Sequence, residues 1–328
     1  MTGQAVSEAA RLLGPLGASG VPLRSLTTFR VGGPADVLVR VRNRSEIERV
    51  AAVVRLTGVD VLVVGQGSNL LIADEGFRGV VVVLDGEFSQ SQFPTPRPVS
   101  AEDDPTTGSV GVVVAGGAVK MPVLARQAAQ RGLSGLEWMV GVPGSIGGAV
   151  RMNAGGHGSD VAANLVSADV WSLDSEGQRT LDNGELALGY RRSNLRDLDV
   201  VLSAVFTVGT CDVAEAEDNL AEIVRWRREH QPGGANCGSV FTNPPADSAG
   251  RLIDAAGLRG MRLGTASVSE KHANFIQADG DASAADIWAL IITVRQRVFE
   301  ASGVVLHPEV RTAGFEAALP ELSTSPVD

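Results

Sequence analysis

Two glycine-rich segments carry the first chemical signal in this chain. An apolar run, Val59 to Val64, empties into Gly65-Gln66-Gly67-Ser68-Asn69. Two glycines let a backbone turn its N–H groups toward an anion, and Ser68 and Asn69 add polar side chains. The segment therefore reads as a phosphate cradle or, equally, as a tight β-turn. A Rossmann-type dinucleotide loop needs a third glycine at position 70, where this chain has Leu70. The second segment, GVPGSIGGAVRMNAGGHG, places Gly141, Gly144, Gly147 and Gly148 in otherwise apolar chain. Backbone this bare can lie flat against a cofactor, and two such loops on separate β-rich units suggest a dinucleotide clamped between domains.

Isolated polar residues are less informative. Arg191 stands beside Tyr190, the only tyrosine, and a lone arginine is ordinarily solvated. Ser239 follows a glycine, the usual setting of a turn or N-cap serine, and no GxSxG elbow marks it as a hydrolase nucleophile. Glu309 follows an apolar run and Pro308, which fixes its backbone, and otherwise reads as a solvated carboxylate. His157, His230, His272 and His307 lack HExxH or i,i+4 spacing, so no metal site is expected. Lys271 is one of only two lysines. With His272, Arg227, Arg228 and His230 it offers either local attraction for a diphosphate or a solvated face.

The elements that must position these residues follow from periodicity. Asp36 to Val41 is strand-like. A helix over Ser45 to Thr57 follows, with Ile47, Val50, Ala51 and Val54 on one stripe, Ser45 and Glu48 as a capping box and Gly58 as the stop. Gly79 to Leu84 is a further strand. Residues 86–108 are polar, Pro-rich and acidic and read as a surface insertion. Strands are predicted over Val110 to Ala115, Leu165 to Leu173 and Val200 to Val208, with a helix over Met121 to Arg131. A long helix from about Val213 to Glu229 opens a new unit, joined by helices near Asp247 to Ala256 and Ala284 to Ser302. The predicted domains are residues 1–85, 86–210 and 211–303, with a strand at about 304–313 returning to the first and 314–328 as a frayed tail.

Composition excludes several classes. With 328 residues, 44% hydrophobic, the chain can build two or three domains without staples. A net charge of -10 argues against non-specific nucleic-acid binding, so any anionic ligand must be held locally. The 39 glycines suit an α/β protein that holds phosphates on main-chain amides. Cys211 and Cys237 fit neither a disulfide framework nor a zinc site, and neither a signal peptide nor a membrane span is apparent. A soluble, cytoplasmic, monomeric protein is expected.

Seven segments together carry a resemblance: TTFRVGGPAD, VGQGSNLL, GLEWMVGVPGSIGGAVRMNAG, GYRRSN, NCGSVFTNP, SEKHANFI and HPEVR, in this order from about residue 24 to 312. The chain resembles the UDP-N-acetylenolpyruvoylglucosamine reductase (MurB) family of flavoenzymes. The resemblance implies an α+β fold: a two-part FAD-binding module of the vanillyl-alcohol-oxidase (PCMH) type plus a C-terminal α/β substrate domain. It implies non-covalent FAD, held by Gly65, Gln66, Gly67, Ser68 and Asn69 of the first loop and Gly141, Val142, Gly144, Ser145, Ile146 and Gly148 of the second. NADPH is the implied co-substrate, and UDP-N-acetylglucosamine enolpyruvate the substrate. Arg191 then faces the enolpyruvyl carboxylate, Ser239 is the general acid at C2, and Glu309 acts with Arg191 on the enolic intermediate. Tyr190, Asn243, His230, Lys271 and His272 are implied at the substrate.

The family divides by a tyrosine-bearing loop near the third domain. No tyrosine follows Tyr190 here, so the chain resembles the shorter subclass. It departs from many relatives at Gly156-His157, where they have Ala-Tyr. The alternatives are an FAD oxidase of the same fold, with His157 the only nearby candidate for covalent attachment, and a non-catalytic nucleotide-sugar binding protein.

Overall fold

The computed structural model describes residues 2–93, 111–175, 177–316 and 319–322. They fall into two compact units. The first comprises Met1–Val21, Asp36–Gln66 and Arg78–Glu229; the second comprises Pro22–Ala35, Gly67–Phe77 and His230–Asp328.

Two larger sheets and a short hairpin form the strands of the first unit among the described residues. One has the strand order Gly17–Pro22, Pro34–Val41, Phe77–Leu84, Val61–Val63. Its last pair is parallel, Val61 opposite Val80. The helix Arg44–Thr57 covers it, burying Ile47, Val50, Ala51, Val53 and Val54. The capping residue is Asn43 rather than Ser45: Asn43 Oδ1 accepts the Glu46 N–H, and Glu46 accepts the Arg42 N–H, so the cap sits two residues earlier than predicted.

The second sheet runs Gln178–Asp182, Leu165–Ser172, Asp199–Thr210, Gly111–Gly116, Ser91–Gln92, with every pairing antiparallel. The sheets share a core: Trp171, Leu173, Val200 and Leu202 pack into the cluster that contains Val37, Ile47 and Val80. A second core gathers the helices Met121–Ala129 and Ile146–Met152 on the other part of the larger sheet.

In the second unit the helices Ala249–Ala255 and Ala284–Ser302 bury Leu252, Ile253, Ile287, Leu290, Ile291 and Val294 in one core with Val268 and Ile276 of a three-stranded antiparallel sheet. The returning segment Arg311–Ala313 pairs in parallel with Leu70–Ile72. Asp74 accepts the N–H groups of Ala284 and Ala285 at the start of the long helix.

Three boundaries differ from those predicted. The helix Val213–His230 does not open the last unit. Ala216 and Leu220 are buried in the core of Leu124, Ile146 and Phe206, and the compact units divide after Glu229. Residues 86–93 of the predicted insertion belong to the fold, because Phe88 is buried and Ser91–Gln92 pairs with Gly111–Gly116; residues 94–108 lie outside the described residues. The predicted tail is held through Phe315, whose ring lies 5.5 Å from Trp288, and Pro320, whose carbonyl accepts from Arg295 at 2.6 Å. Residues 317–318 and 323–328 are not among those described.

The larger sheet also encloses a charge. The Asp199 side chain is 2% exposed and accepts from Ser172 Oγ at 2.5 Å, Arg196 N–H at 2.9 Å and the Arg196 guanidinium at 3.0 Å. Burial pushes its pKa up, but these donors outweigh burial and leave it below the ordinary carboxylate value. A depressed pKa contributes stability above the unfolded carboxylate's pKa and loses it as pH falls through the lower folded value. Asp199→Asn is therefore expected to lower the melting temperature by several degrees at pH 7, consistent with about 1.5–3 kcal/mol for bonds to a charged group. The gap to the parent should close below about pH 4, measured by calorimetry across pH.

Candidate active site

In the first unit the two glycine loops meet. A methyl group on Gly65 would lie 2.3 Å from Ser145 Oγ, which accepts the Gly148 N–H and is buried. The second loop is anchored from behind: Ile146 N–H donates to Val119 O at 2.9 Å, Gly147 N–H to Gly117 O at 2.8 Å, and Gly144 O accepts from Met121 N–H at 3.0 Å. Val142 N–H is likewise donated, to Met139 O. The amides of Val142 and Ile146 thus hold the loop's own frame, while Gly65 and Gly148 both face the Ser145 hydroxyl. Gly141 is bare for another reason, since a methyl group there would meet the His157 ring at 2.7 Å.

His157 tips a hairpin in which Gly155–Gly156 pairs with Ser159–Asp160. Its φ of 51° and the 82° of Gly158 are the paired positive angles of a two-residue hairpin turn. The imidazole meets Trp226 edge-on at 5.0 Å. Burial, with the Arg227 charge adding to it, holds its pKa below the ordinary value. His157 and Trp226 line a cavity of about 620 Å³ together with Trp138, Asn164 and Asn219; none of Arg191, Ser239 and Glu309 lines it.

Arg191 is displayed on a two-residue turn. Gly189 and Arg192 exchange N–H···O bonds of 3.0 and 3.1 Å, leaving Tyr190 and Arg191 at the tip. Tyr190 is 61% exposed and its ring lies 5.4 Å from the guanidinium carbon of Arg191. Arg191 adopts φ 57° and donates from Nη2 to Gly155 O at 3.3 Å. A left-handed arginine costs on the order of 1–2 kcal/mol, and such strain persists only where the surroundings impose it.

The second unit brings Ser239 and Glu309 together on neighbouring extended segments. Glu309 N–H donates to Val240 O at 2.7 Å, and Phe241 pairs with Pro308. On the other side Ser239 bridges Phe275. Two asparagines fix these segments. Buried Asn274 receives the Phe241 N–H at 3.0 Å and donates to Phe241 O at 2.8 Å, while its own carbonyl takes the Val240 N–H. Asn69 donates to Glu309 O at 3.1 Å, and its carbonyl accepts the Arg311 N–H. Asn69 of the first glycine loop thus holds the glutamate's backbone. Gly67 of that loop fits only because it lacks a side chain: a methyl group would sit 1.9 Å from Leu26 O. Glu309 also lies near Cys237, whose thiol is pushed up by burial and then by the glutamate's charge.

The predicted substrate contacts fare unevenly. Asn243 is exposed, and its Oδ1 accepts the Ala249 N–H. His272 accepts the Asn274 N–H on Nδ1 and packs edge-on against Phe275 at 4.7 Å. Burial lowers its pKa, with the Arg259 charge adding to it. Lys271 and His230 are exposed. Sequence reasoning missed Asn153 and Asn274, although both stand inside quoted motifs. Among the described residues there is no cluster of three or more metal-ligating side chains.

Residues 230–313 match the C-terminal domain of UDP-N-acetylenolpyruvoylglucosamine reductase. Residues 35–180 match an FAD binding domain. The chain is 41% identical over 301 residues to UDP-N-acetylenolpyruvoylglucosamine reductase 2 of Symbiobacterium thermophilum, covering 91% of this chain and 92% of that one. It is 42% identical to the reductase of Synechococcus sp. strain WH7803, covering 90% and 93%. The crystal structure of the Thermus caldophilus reductase (MurB) superposes with a TM-score of 0.73 at 35% identity, covering 89% of this chain and 97% of that one.

The contact between the loops is testable. Gly65→Ala must displace Ser145 Oγ, whereas Ser145 Cβ, 3.4 Å from the added methyl, is an ordinary neighbour. Gly65→Ala is expected to lower both the melting temperature and the flavin absorbance per protein. In the double variant Gly65→Ala/Ser145→Ala the melting temperature should recover toward that of Ser145→Ala alone, a coupling read by a double-mutant cycle.

Proposed function

The chain belongs to the UDP-N-acetylenolpyruvoylglucosamine reductase family, and from that membership we infer how its residues divide the work. It is an FAD-dependent oxidoreductase of peptidoglycan precursor synthesis, reducing the enolpyruvyl ether of UDP-N-acetylglucosamine to UDP-N-acetylmuramate. That identity sets aside the oxidase and the non-catalytic binding module. The glycine backbone of the two loops fits FAD: Gly65 and Gly148 close around the Ser145 hydroxyl without side chains of their own, so a flat or phosphate-bearing group can approach the main chain there. Held there, FAD would supply the hydride, drawn from NADPH, that adds to C3 of the enolpyruvyl group.

The protein's own part is charge and proton control. Hydride addition at C3 leaves an electron pair at C2, delocalised into the carboxylate. Arg191 offers that carboxylate a planar, permanently charged fork, which stabilises the transition state more than the ground state. Ser239 Oγ delivers the proton to C2, and Glu309 acts on the enolic form. The observation that carries this reading is the direct pairing of the Ser239 and Glu309 segments, with Glu309 N–H on Val240 O, inside the residues that match the family's C-terminal domain. We further propose a cytoplasmic monomer. The free thiols of Cys211 and Cys237 suit a reducing compartment, and among the described residues no helix is long and apolar enough to cross a membrane.

Separate stopped-flow measurement of the two half-reactions tests the roles. Ser239→Ala should leave flavin reduction by NADPH intact and slow reoxidation by the enolpyruvyl substrate about 10²–10³-fold or more. Equal slowing of both steps would move Ser239 out of proton delivery. Arg191→Lys keeps the charge and loses the fork. It should cut turnover sharply with affinity for UDP-N-acetylglucosamine unchanged, because that ligand lacks the carboxylate. Parent-like turnover in Arg191→Lys sinks the assignment.

A further inference from the structure

We propose that Asn153 is a positioning residue for the reductive reaction: its buried carboxamide sets the turn that presents Arg191. The inference rests on reading Arg191 as the carboxylate-binding residue.

Asn153 is 3% exposed and closes the helix Ile146–Met152 in the left-handed conformation, φ 40°. Asparagine tolerates that backbone better than other side-chain-bearing residues. Its carboxamide is spent on three partners from separate segments. Nδ2 donates one hydrogen to Asp160 Oδ2 at 3.0 Å and the other to Gly189 O at 3.1 Å, while Oδ1 accepts the Ala162 N–H at 3.0 Å. Gly189 is the base of the two-residue turn, and the same carbonyl also takes the Arg192 N–H. Both lone pairs of that carbonyl are thereby engaged, one closing the turn and one tying it to Asn153.

The chain around Asn153 braces the turn at further points. Gly155 O accepts from the Arg191 guanidinium at 3.3 Å, Arg151 O accepts from Ser193 Oγ at 2.7 Å, and Arg151 donates to Leu195 O and Arg196 O. Residues 151–155 thus form a rail on which the Arg191 loop is hung, with Asn153 as its buried fastening. The side-chain type follows from the partners. Aspartate would turn a carboxylate toward Gly189 O and Asp160, and glutamine would carry the amide past them. The fastening has a purpose: Arg191 holds φ 57°, and a strained turn relaxes unless its surroundings over-determine it.

The single tyrosine makes the turn directly observable. 3-Fluorotyrosine incorporated into the flavin-loaded enzyme reports only from position 190, beside Arg191. Asn153→Gly keeps the left-handed backbone and deletes the carboxamide; Asn153→Asp keeps size and the acceptor for Ala162 N–H and deletes both donors. The parent should give one narrow ¹⁹F line. Both variants should broaden, split or shift it and lower turnover with the enolpyruvyl substrate about 10- to 100-fold, the range typical of misplacement by about 1 Å. UDP-N-acetylglucosamine affinity and flavin reduction by NADPH should stay within about twofold of the parent.

An unchanged ¹⁹F line in both variants overturns the proposal whatever Arg191 does. A perturbed line with parental turnover shows the fastening but overturns the reading of Arg191, and with it the catalytic purpose of Asn153. If neither variant gives soluble, flavin-loaded enzyme, Asn153 is a folding residue and the positioning role falls.

Discussion

Irregular backbone has no ladder to satisfy its amides and carbonyls, and each residue proposed for chemistry here sits on such backbone. The structure meets this constraint with carboxamides. Asn153 holds the base of the Arg191 turn, Asn274 brackets Phe241 two residues beyond Ser239, and Asn69 takes the carbonyl of Glu309. A carboxamide can donate and accept at once, so it can replace a strand neighbour on a segment that bends away from every sheet. Where two loops meet closely, as at Gly65 and Ser145, the complementary device is absence: one partner contributes no side chain.

Strain collects around the same framework. Among the described residues six non-glycines have positive φ, and Asn153, His157 and Arg191 are three of them. They share one network, because the hairpin tipped by His157 supplies Asp160 to Asn153 and Gly155 to Arg191. Each strained position is thus supported by another, an arrangement that keeps an arginine in a conformation a free chain would leave.

Local patterns in the sequence revealed strands and helices well. The helix predicted over Ala284 to Ser302 is present with those bounds, its cap at Ser283 and its stop at Gly303, because caps and stripes are written in adjacent residues. Which core an amphipathic helix joins is not. The apolar side of Val213–His230 is evident in the chain, but only tertiary contact assigns Ala216 and Leu220 to the first unit. The site divides likewise. The glycine loops and the motifs bearing Arg191, Ser239 and Glu309 could be read, whereas the half-buried setting of His272 and its Nδ1 contact with the Asn274 N–H could not, since neither leaves a trace in spacing. Asn153 and Asn274 escaped notice because an asparagine among glycines and turns looks like one more turn residue.

The pairing of Leu70–Ile72 with Arg311–Ala313 bears on the order in which the chain is made. All the residues of the first unit have been joined once Glu229 is added, while the second unit must combine Pro22–Ala35 and Gly67–Phe77 with His230 onward. Leu70, Leu71 and Ile72, buried in the finished protein, wait for partners roughly 240 residues downstream, about 10 to 50 s of translation at ordinary rates. During that interval an apolar edge is open to any strand that passes. A nascent polypeptide of this architecture thus carries that edge unpaired until late in its synthesis, when the segment that brings Glu309 leaves the ribosome.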